Sequence, residues 1–294
     1  MKIKQITLLF IFLCSCESFT AQVADPFKPD FRPPRDIPGM SLVWNEEFNT
    51  EGRPDTTSWR YENGFVRNQE LQYYQKDNAK VTGGRLVIEG RRERVKNSRY
   101  NPDRTDWRSV EYAEYTSSSI QTRGFHQWQF GRFEIRARID TAKGSWPAIW
   151  TLGISGGWPA GGEIDIMEFY RVKDVPIILA NYAWLSEQGR SAKWDGFKKP
   201  LADFTAKDHD WVKKYHVWRM DWDKDSIALM LDDEVLNTVS LSNTINPGGF
   251  NPFLQPHYIL LNLALGANGA DPSKTKFPIY YEVDYVRVYQ QKNK

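Results

Sequence analysis

Three acidic side chains lie close together in Trp158-Pro-Ala-Gly-Gly-Glu163-Ile-Asp165-Ile-Met-Glu168-Phe-Tyr170. In an extended strand, residues two apart share a face, so Glu163 and Asp165 point the same way. Glu168 comes five positions after Glu163, and a regular strand sends it to the opposite side. One inserted residue, a β-bulge, turns it back. Three carboxylates then line one groove, and Ile164 and Ile166 face the core. Crowded carboxylates repel and resist ionising together, so one keeps its proton while a neighbour loses it. Glycoside hydrolysis uses that division: an acid protonates the leaving oxygen, and a carboxylate attacks or activates water. The bare spacing also fits a strand whose acidic face is simply solvated.

The surrounding residues narrow the choice. Upstream stands Gly144-Ser-Trp146-Pro-Ala-Ile-Trp150-Thr-Leu-Gly. With the acidic segment it resembles the family 16 glycoside hydrolases, whose signature is Trp-Pro-Ala-x-Trp followed by Gly-Glu-Ile-Asp-x-x-Glu. Asn68-Gln-Glu70-Leu-Gln-Tyr-Tyr is similar to a laminarinase strand, and Ser118–Gly124, Tyr258–Ala264 and Val283–Tyr289 also fit the pattern. The resemblance implies a β-jelly-roll sandwich of two curved antiparallel sheets with an open concave cleft. It implies retaining, endo-acting hydrolysis of a polysaccharide by the bulged branch of the family. Glu163 matches the nucleophile, Glu168 the acid/base and Asp165 the auxiliary acid between them.

The expected substrate is β-1,3-glucan (laminarin) or mixed β-1,3/1,4-glucan. The alternatives are a marine galactan (agar, porphyran or carrageenan) and, from another class, a carbohydrate-binding protein without chemistry. Two departures bear on the glycan. Ile178-Leu-Ala-Asn181-Tyr-Ala-Trp184 has no His where laminarinases carry one near the acid/base, and Asn262–Ala270 lacks a Trp common in their loop. Asn181 and Trp184 are the candidates to fill the first space. Trp146 and Trp150 are expected to stack on sugar rings, and Asn68 and Glu70 to bond sugar hydroxyls. Arg67, Arg123 and Lys193 would meet sulfate groups if the glycan carried them; as solvated surface charges they need no such role. Catalysis on this pattern needs no cofactor. The resemblance does imply one structural calcium ion, with Glu47, Gly84 and Asp284 at the matching positions.

These residues need a β scaffold, and the chain supplies the pattern. Phe133, Ile135, Ala137 and Ile139 alternate with Arg132, Glu134, Arg136 and Arg138, which predicts one buried and one wet face. Arg85–Glu89, Ser226–Leu231, Tyr258–Leu263 and Tyr281–Tyr289 also read as strands. Only 207–215 reads as a short helix or a loop. The 12 Trp, 14 Tyr and 16 Phe suit half-buried strands and sugar platforms alike.

The N-terminus sets the compartment. Lys2 and Lys4 precede the apolar run Ile6–Leu13, which is too short to span a bilayer. Residues 1–15 are therefore expected to be a signal peptide. Leu13-Cys-Ser-Cys16 resembles a bacterial lipobox with Cys16 as the lipidated residue; simple secretion with cleavage near Ala21-Gln22 is the alternative. The expected location is outside the cytoplasm, lipid-anchored to an outer membrane or cell surface, otherwise periplasmic or secreted. Residues 16–40, rich in proline and polar groups, read as a flexible tether, and 41–290 as one catalytic domain acting as a monomer. Cys14 and Cys16 are the only cysteines, so the mature chain holds no internal disulfide. The formal charge is +2, and losing Lys2 and Lys4 brings it to 0, which argues against a nucleic-acid partner.

Overall fold

The computed structural model describes residues 24–292. Two antiparallel sheets face one another. The back sheet runs Glu234–Ser240, Ser226–Leu231, His216–Trp222, Gly131–Ile139, Ile279–Gln291, Leu86–Gly90, Ala79–Val81, and Met40–Glu46 also pairs with Ile279–Gln291. The cleft sheet runs Ala192–Pro200, Val175–Leu185, Glu163–Val172, Ser145–Gly153, His257–Leu265, Ser119–Gln121, Arg60–Tyr61. This is the expected jelly-roll architecture. The expected strands are all present, with Ser226–Leu231 and Gly131–Ile139 unchanged in bounds, Leu86–Gly90 shifted by one residue, and His257–Leu265 and Ile279–Gln291 extended at both ends. The 207–215 region holds only a 3-10 turn at Trp211–Lys213, after a short α-helix at Leu201–Thr205.

The core lies between the sheets, where Phe133, Ile135 and Val286 of the back sheet join one buried cluster with Ile164, Met167 and Leu261 of the cleft sheet. Alternation in Gly131–Ile139 therefore works as expected on the inner face. The middle of its outer face is not wet: Glu134 and Arg136 are 2% and 3% exposed, while Arg132 and Arg138 at its ends stay partly exposed.

What covers them is the segment expected to be a tether. Arg136 donates to the carbonyls of Lys28 (2.9 Å) and Asp25 (2.8 Å). The Asp30 amide donates to both oxygens of Asp284, at 3.1 Å each. Arg35 reaches Glu134 at 2.6 Å, and Arg287 reaches the Arg32 carbonyl at 3.2 Å. Residues 24–38 are thus a strap along the back sheet, not a free linker. The segment lacks a core of its own, as its composition says. It borrows order from buried arginines whose donors would otherwise be unsatisfied. Cys16 and the proposed signal lie outside the described residues.

Candidate active site

The strand Glu163–Val172 contains the irregularity on which the site depends. Asp165 pairs with Asn181, but Glu168 pairs with Leu179, so three residues on this strand span two on its neighbour. The same slip appears against Ser145–Gly153, where Ile149 faces Met167 and Trp150 faces Asp165. Ile164, Ile166 and Met167 are fully buried. The extra residue is taken up on the core side, and Glu163, Asp165 and Glu168 all line one cavity of about 680 Å³.

The three acids are held by donors. Trp146 Nε1–H donates to Glu168 Oε1 at 2.9 Å, and Asn181 Nδ2–H donates to Glu168 Oε2 at 3.0 Å. Trp158 Nε1–H donates to Glu163 Oε2 at 2.6 Å. Burial pushes Glu168 up to about 7, against the hydrogen bonds from Trp146 and Asn181. Asp165 is held well above the usual carboxylate range, first by burial and then by the charges of Glu168 and Glu163, and it shares a hydrogen bond with Glu163. Burial raises Glu163 as well, while the bonds from Asp165 and Trp158 and the nearby Arg67 cation favour its ionised form. Asp165 therefore keeps a proton and gives it to a hydrogen bond with Glu163, which leaves Glu163 the carboxylate able to attack.

Trp146, Trp150, Asn68 and Glu70 line the same cavity. Trp150 is tied down, with its Nε1–H on Asn262 Oδ1 at 2.7 Å and the Arg67 guanidinium 5.0 Å from its ring centroid. Glu70 is 4% exposed and accepts bonds from Gln72, Tyr74 and Asn68, so it orders the cleft wall more than it offers itself to solvent. Trp184 is a correction. It is one residue out of phase with Ala183 opposite Glu163, belongs to the buried core and packs edge-on to Phe253. Asn181, two in phase with Ala183, is the residue that enters the cleft.

Glu47, Gly84 and Asp284 do not fit a calcium ion, contrary to expectation. Both Glu47 oxygens accept from Arg287, at 2.9 and 2.8 Å. Asp284 is bound by Arg136 at 2.5 Å and by the strap amide. A side chain on Gly84 would overlap the ring of Phe31, so the strap closes that side too. Two guanidinium cations occupy the oxygens that a divalent ion would need. No group of three or more His, Cys, Asp or Glu suited to a metal occurs among the described residues.

Several cleft residues were not singled out from sequence: Trp158, Tyr170, Trp194, Lys198 and Asn262. Trp158 had a legible signal. It stands five residues before Glu163 across a Gly-rich turn, close enough to fold back on it. Trp194 and Lys198 come from the neighbouring strand Ala192–Pro200, whose sequence carries no comparable mark.

The family model for glycosyl hydrolases family 16 matches residues 89–287. A β-glucanase of Rhodothermus marinus is 34% identical over 277 residues, covering 86% of each chain. A solved chain described with endo-acting O-glycanases, which prominent human gut bacteria express to initiate mucin breakdown, is 35% identical with a TM-score of 0.79, covering 88% of this chain and 94% of its own. The laminarinase catalytic domain of Thermotoga maritima is 30% identical with a TM-score of 0.72, covering 86% and 99%.

Proposed function

The chain belongs to glycosyl hydrolase family 16 and is an O-glycosyl hydrolase, and from that premise we propose that it cuts internal bonds of a β-1,3-glucan, or mixed β-1,3/1,4-glucan, with retention. The bulge that sets Glu163, Asp165 and Glu168 on one face of the cleft carries the reading. Glu163 attacks the anomeric carbon while Glu168 gives its proton to the departing glycosidic oxygen. A glycosyl ester on Glu163 results. Glu168, now ionised, takes a proton from water, the water oxygen attacks the anomeric carbon, and the Glu163–sugar bond breaks. Asp165 holds a proton against Glu163 and is not consumed. The substrate is supported by the likeness to the Rhodothermus β-glucanase and the Thermotoga laminarinase.

A panel of laminarin, mixed-linkage glucan and galactans tests it, with products sized and their anomeric form followed by NMR. Oligosaccharides from laminarin with the β-anomer formed first are expected. Release from galactans alone would overturn the glucan assignment, and first formation of the α-anomer would overturn the mechanism.

A specific observation favours a second reading, a galactan bearing anionic groups. Arg67 lines the cleft with its guanidinium 5.0 Å from the Trp150 ring centroid, and Arg123 lies 5.6 Å from the ring centroid of Tyr258, which packs with Trp150. Glu62 is paired with Arg67. Sulfated and desulfated forms of one galactan, added to the panel, separate the readings.

Export and lipidation at Cys16 belong to the same proposal, on the basic and apolar start of the chain. Mass spectrometry of the mature N-terminus checks them, and an unmodified start at Gln22 would refute the lipid.

A further inference from the structure

Glu168 must alternate between acid and base, and a fixed donor meets each of its oxygens, beside a hydrogen bond shared with Asp165. Trp146 serves Oε1. On the other side the Asn181 amide sits between two acids, with Nδ2 3.0 Å from Glu168 Oε2 and 3.4 Å from Asp165 Oδ2. Asn181 is 5% exposed. The neighbouring strand is cut away to admit it. Gly196 pairs directly with Asn181, and a Cβ at Gly196 would come within 2.7 Å of Asn181 Oδ1.

We propose that Asn181 is the positioning residue of the acid/base, a non-titrating amide that aims Glu168 and holds it beside Asp165 without adding an ionisable group to the cleft. The proposal rests on the reading of Glu168 as acid/base and goes beyond it.

An amide at this place has two effects. It fixes the carboxyl rotamer, which matters because proton transfer falls steeply with misalignment. It also stabilises the ionised form by donating to it, so it works against burial and keeps Glu168 from rising further. A carboxylate here would deepen the like-charge conflict, and an imidazole would bring its own titration near neutral pH. The charged or titratable groups that share this cavity with Glu168 are few. Glu163, Asp165 and Tyr170 lie on its own strand, Lys198 on Ala192–Pro200, and Arg67 and Glu70 on the segment before Gln72–Tyr74. The adjoining strand Ser145–Gly153 contributes Trp146, Ala148, Trp150 and Leu152, all uncharged. Asn181 adds no titration of its own, so the alkaline limb reports the interacting carboxyls, Glu168 together with Asp165 and Glu163.

The test uses the full chain and two readouts. Carboxyl carbon NMR follows the Glu168 titration without substrate, and kcat and KM are measured against pH on whichever glycan the panel shows to be cut. Asn181→Ala is expected to lower kcat roughly 10- to 100-fold with KM changed less than about threefold. It should also raise the Glu168 midpoint and move the alkaline limb the same way. Asn181→His restores a donor; it should recover part of kcat and add a second inflection near the ordinary histidine value of about 6.5. Gly196→Ala, which displaces the amide without removing it, should repeat the Asn181→Ala effects in smaller measure and covers the case in which Asn181→Ala does not fold. An unchanged Glu168 midpoint in a folded Asn181→Ala or Gly196→Ala variant overturns the proposal, whatever happens to activity. A shifted midpoint in a protein that cuts nothing in the panel would instead count against the hydrolase reading and leave the amide's hold on Glu168 demonstrated.

Discussion

Glu168 is held where a general acid is useful at neutral pH, and its environment gives the sign of each perturbation. On the proposed mechanism it must carry a proton to open the bond, so kcat/KM should fall as pH rises through about 7. Trp146→Phe removes the donor to Oε1 and with it a bond that favours the carboxylate. The alkaline limb should then move to higher pH, with kcat lower by about tenfold; a limb that stays in place would mean that Trp146 does not touch the titrating group. Stability carries the same signature. The folded state holds the Glu168 proton up to about 7, whereas the unfolded chain releases it near 4.5. Stability therefore falls as pH rises from about 4.5 to about 7, by an amount on the order of 3 kcal/mol. Glu168→Gln cannot ionise, so its melting temperature should decline less over that interval than the wild type's. Parallel curves would refute the burial account. The acids themselves were legible because chemistry names them. Asn181 was legible only as a departure, and its contact with two carboxylates needed the register of two strands.

Elements were readable where one period ran uninterrupted and both sides of it were accounted for. Phe133, Ile135, Ala137 and Ile139 gave the inner face of Gly131–Ile139 correctly. The bulge followed from a chemical demand: three acids in one groove require an extra residue after Asp165. The outer face of Gly131–Ile139 departs from its pattern at Glu134 and Arg136, because Arg136 looks solvated in sequence and nothing local shows that residues 24–38 will lie over it. Trp184 was misplaced for a similar reason, since a Trp suits a sugar platform and a core equally, and only phase against Ala183 decides. The strap gives a test at this scale. Arg136 is 3% exposed, pairs with Asp284 and anchors the Lys28 and Asp25 carbonyls. Arg136→Met should cost about 3–5 kcal/mol, because it leaves Asp284 buried without its cation. It should also expose 24–38 to limited proteolysis, while Glu163 and Glu168, on the other sheet, keep their titrations. A strap as protected in Arg136→Met as in the wild type would show that these bonds do not hold it.

The molecule as a whole is a sandwich with chemistry on one sheet and a clasp on the other. Its fold class was readable from many short strands with turn residues between them, whereas the means of securing the back sheet was not. The described residues contain no cysteine and so no disulfide to draw on, and stability rests on the buried cluster between the sheets and on what closes their outer faces. A divalent ion would supply such closure through carboxylates free to coordinate it. Here the oxygens of Glu47 and Asp284 are taken by Arg287 and Arg136, and the strap fills the space over Gly84. A ligand that binds only the folded state stabilises it in proportion to RT ln(1 + [L]/Kd), and one with no site contributes nothing. The melting temperature should therefore stay within about 1 °C in excess chelator, in excess calcium and in neither, at matched ionic strength. Matching matters because the exposed ion pairs of the strap, Arg32 with Asp30 among them, respond to salt of any kind. A rise of several degrees with calcium, reversed by chelator and absent with magnesium, would mean that the arginines yield to the ion. The same result in Arg287→Ala but not in the wild type would identify Arg287 as the group that stands in its place.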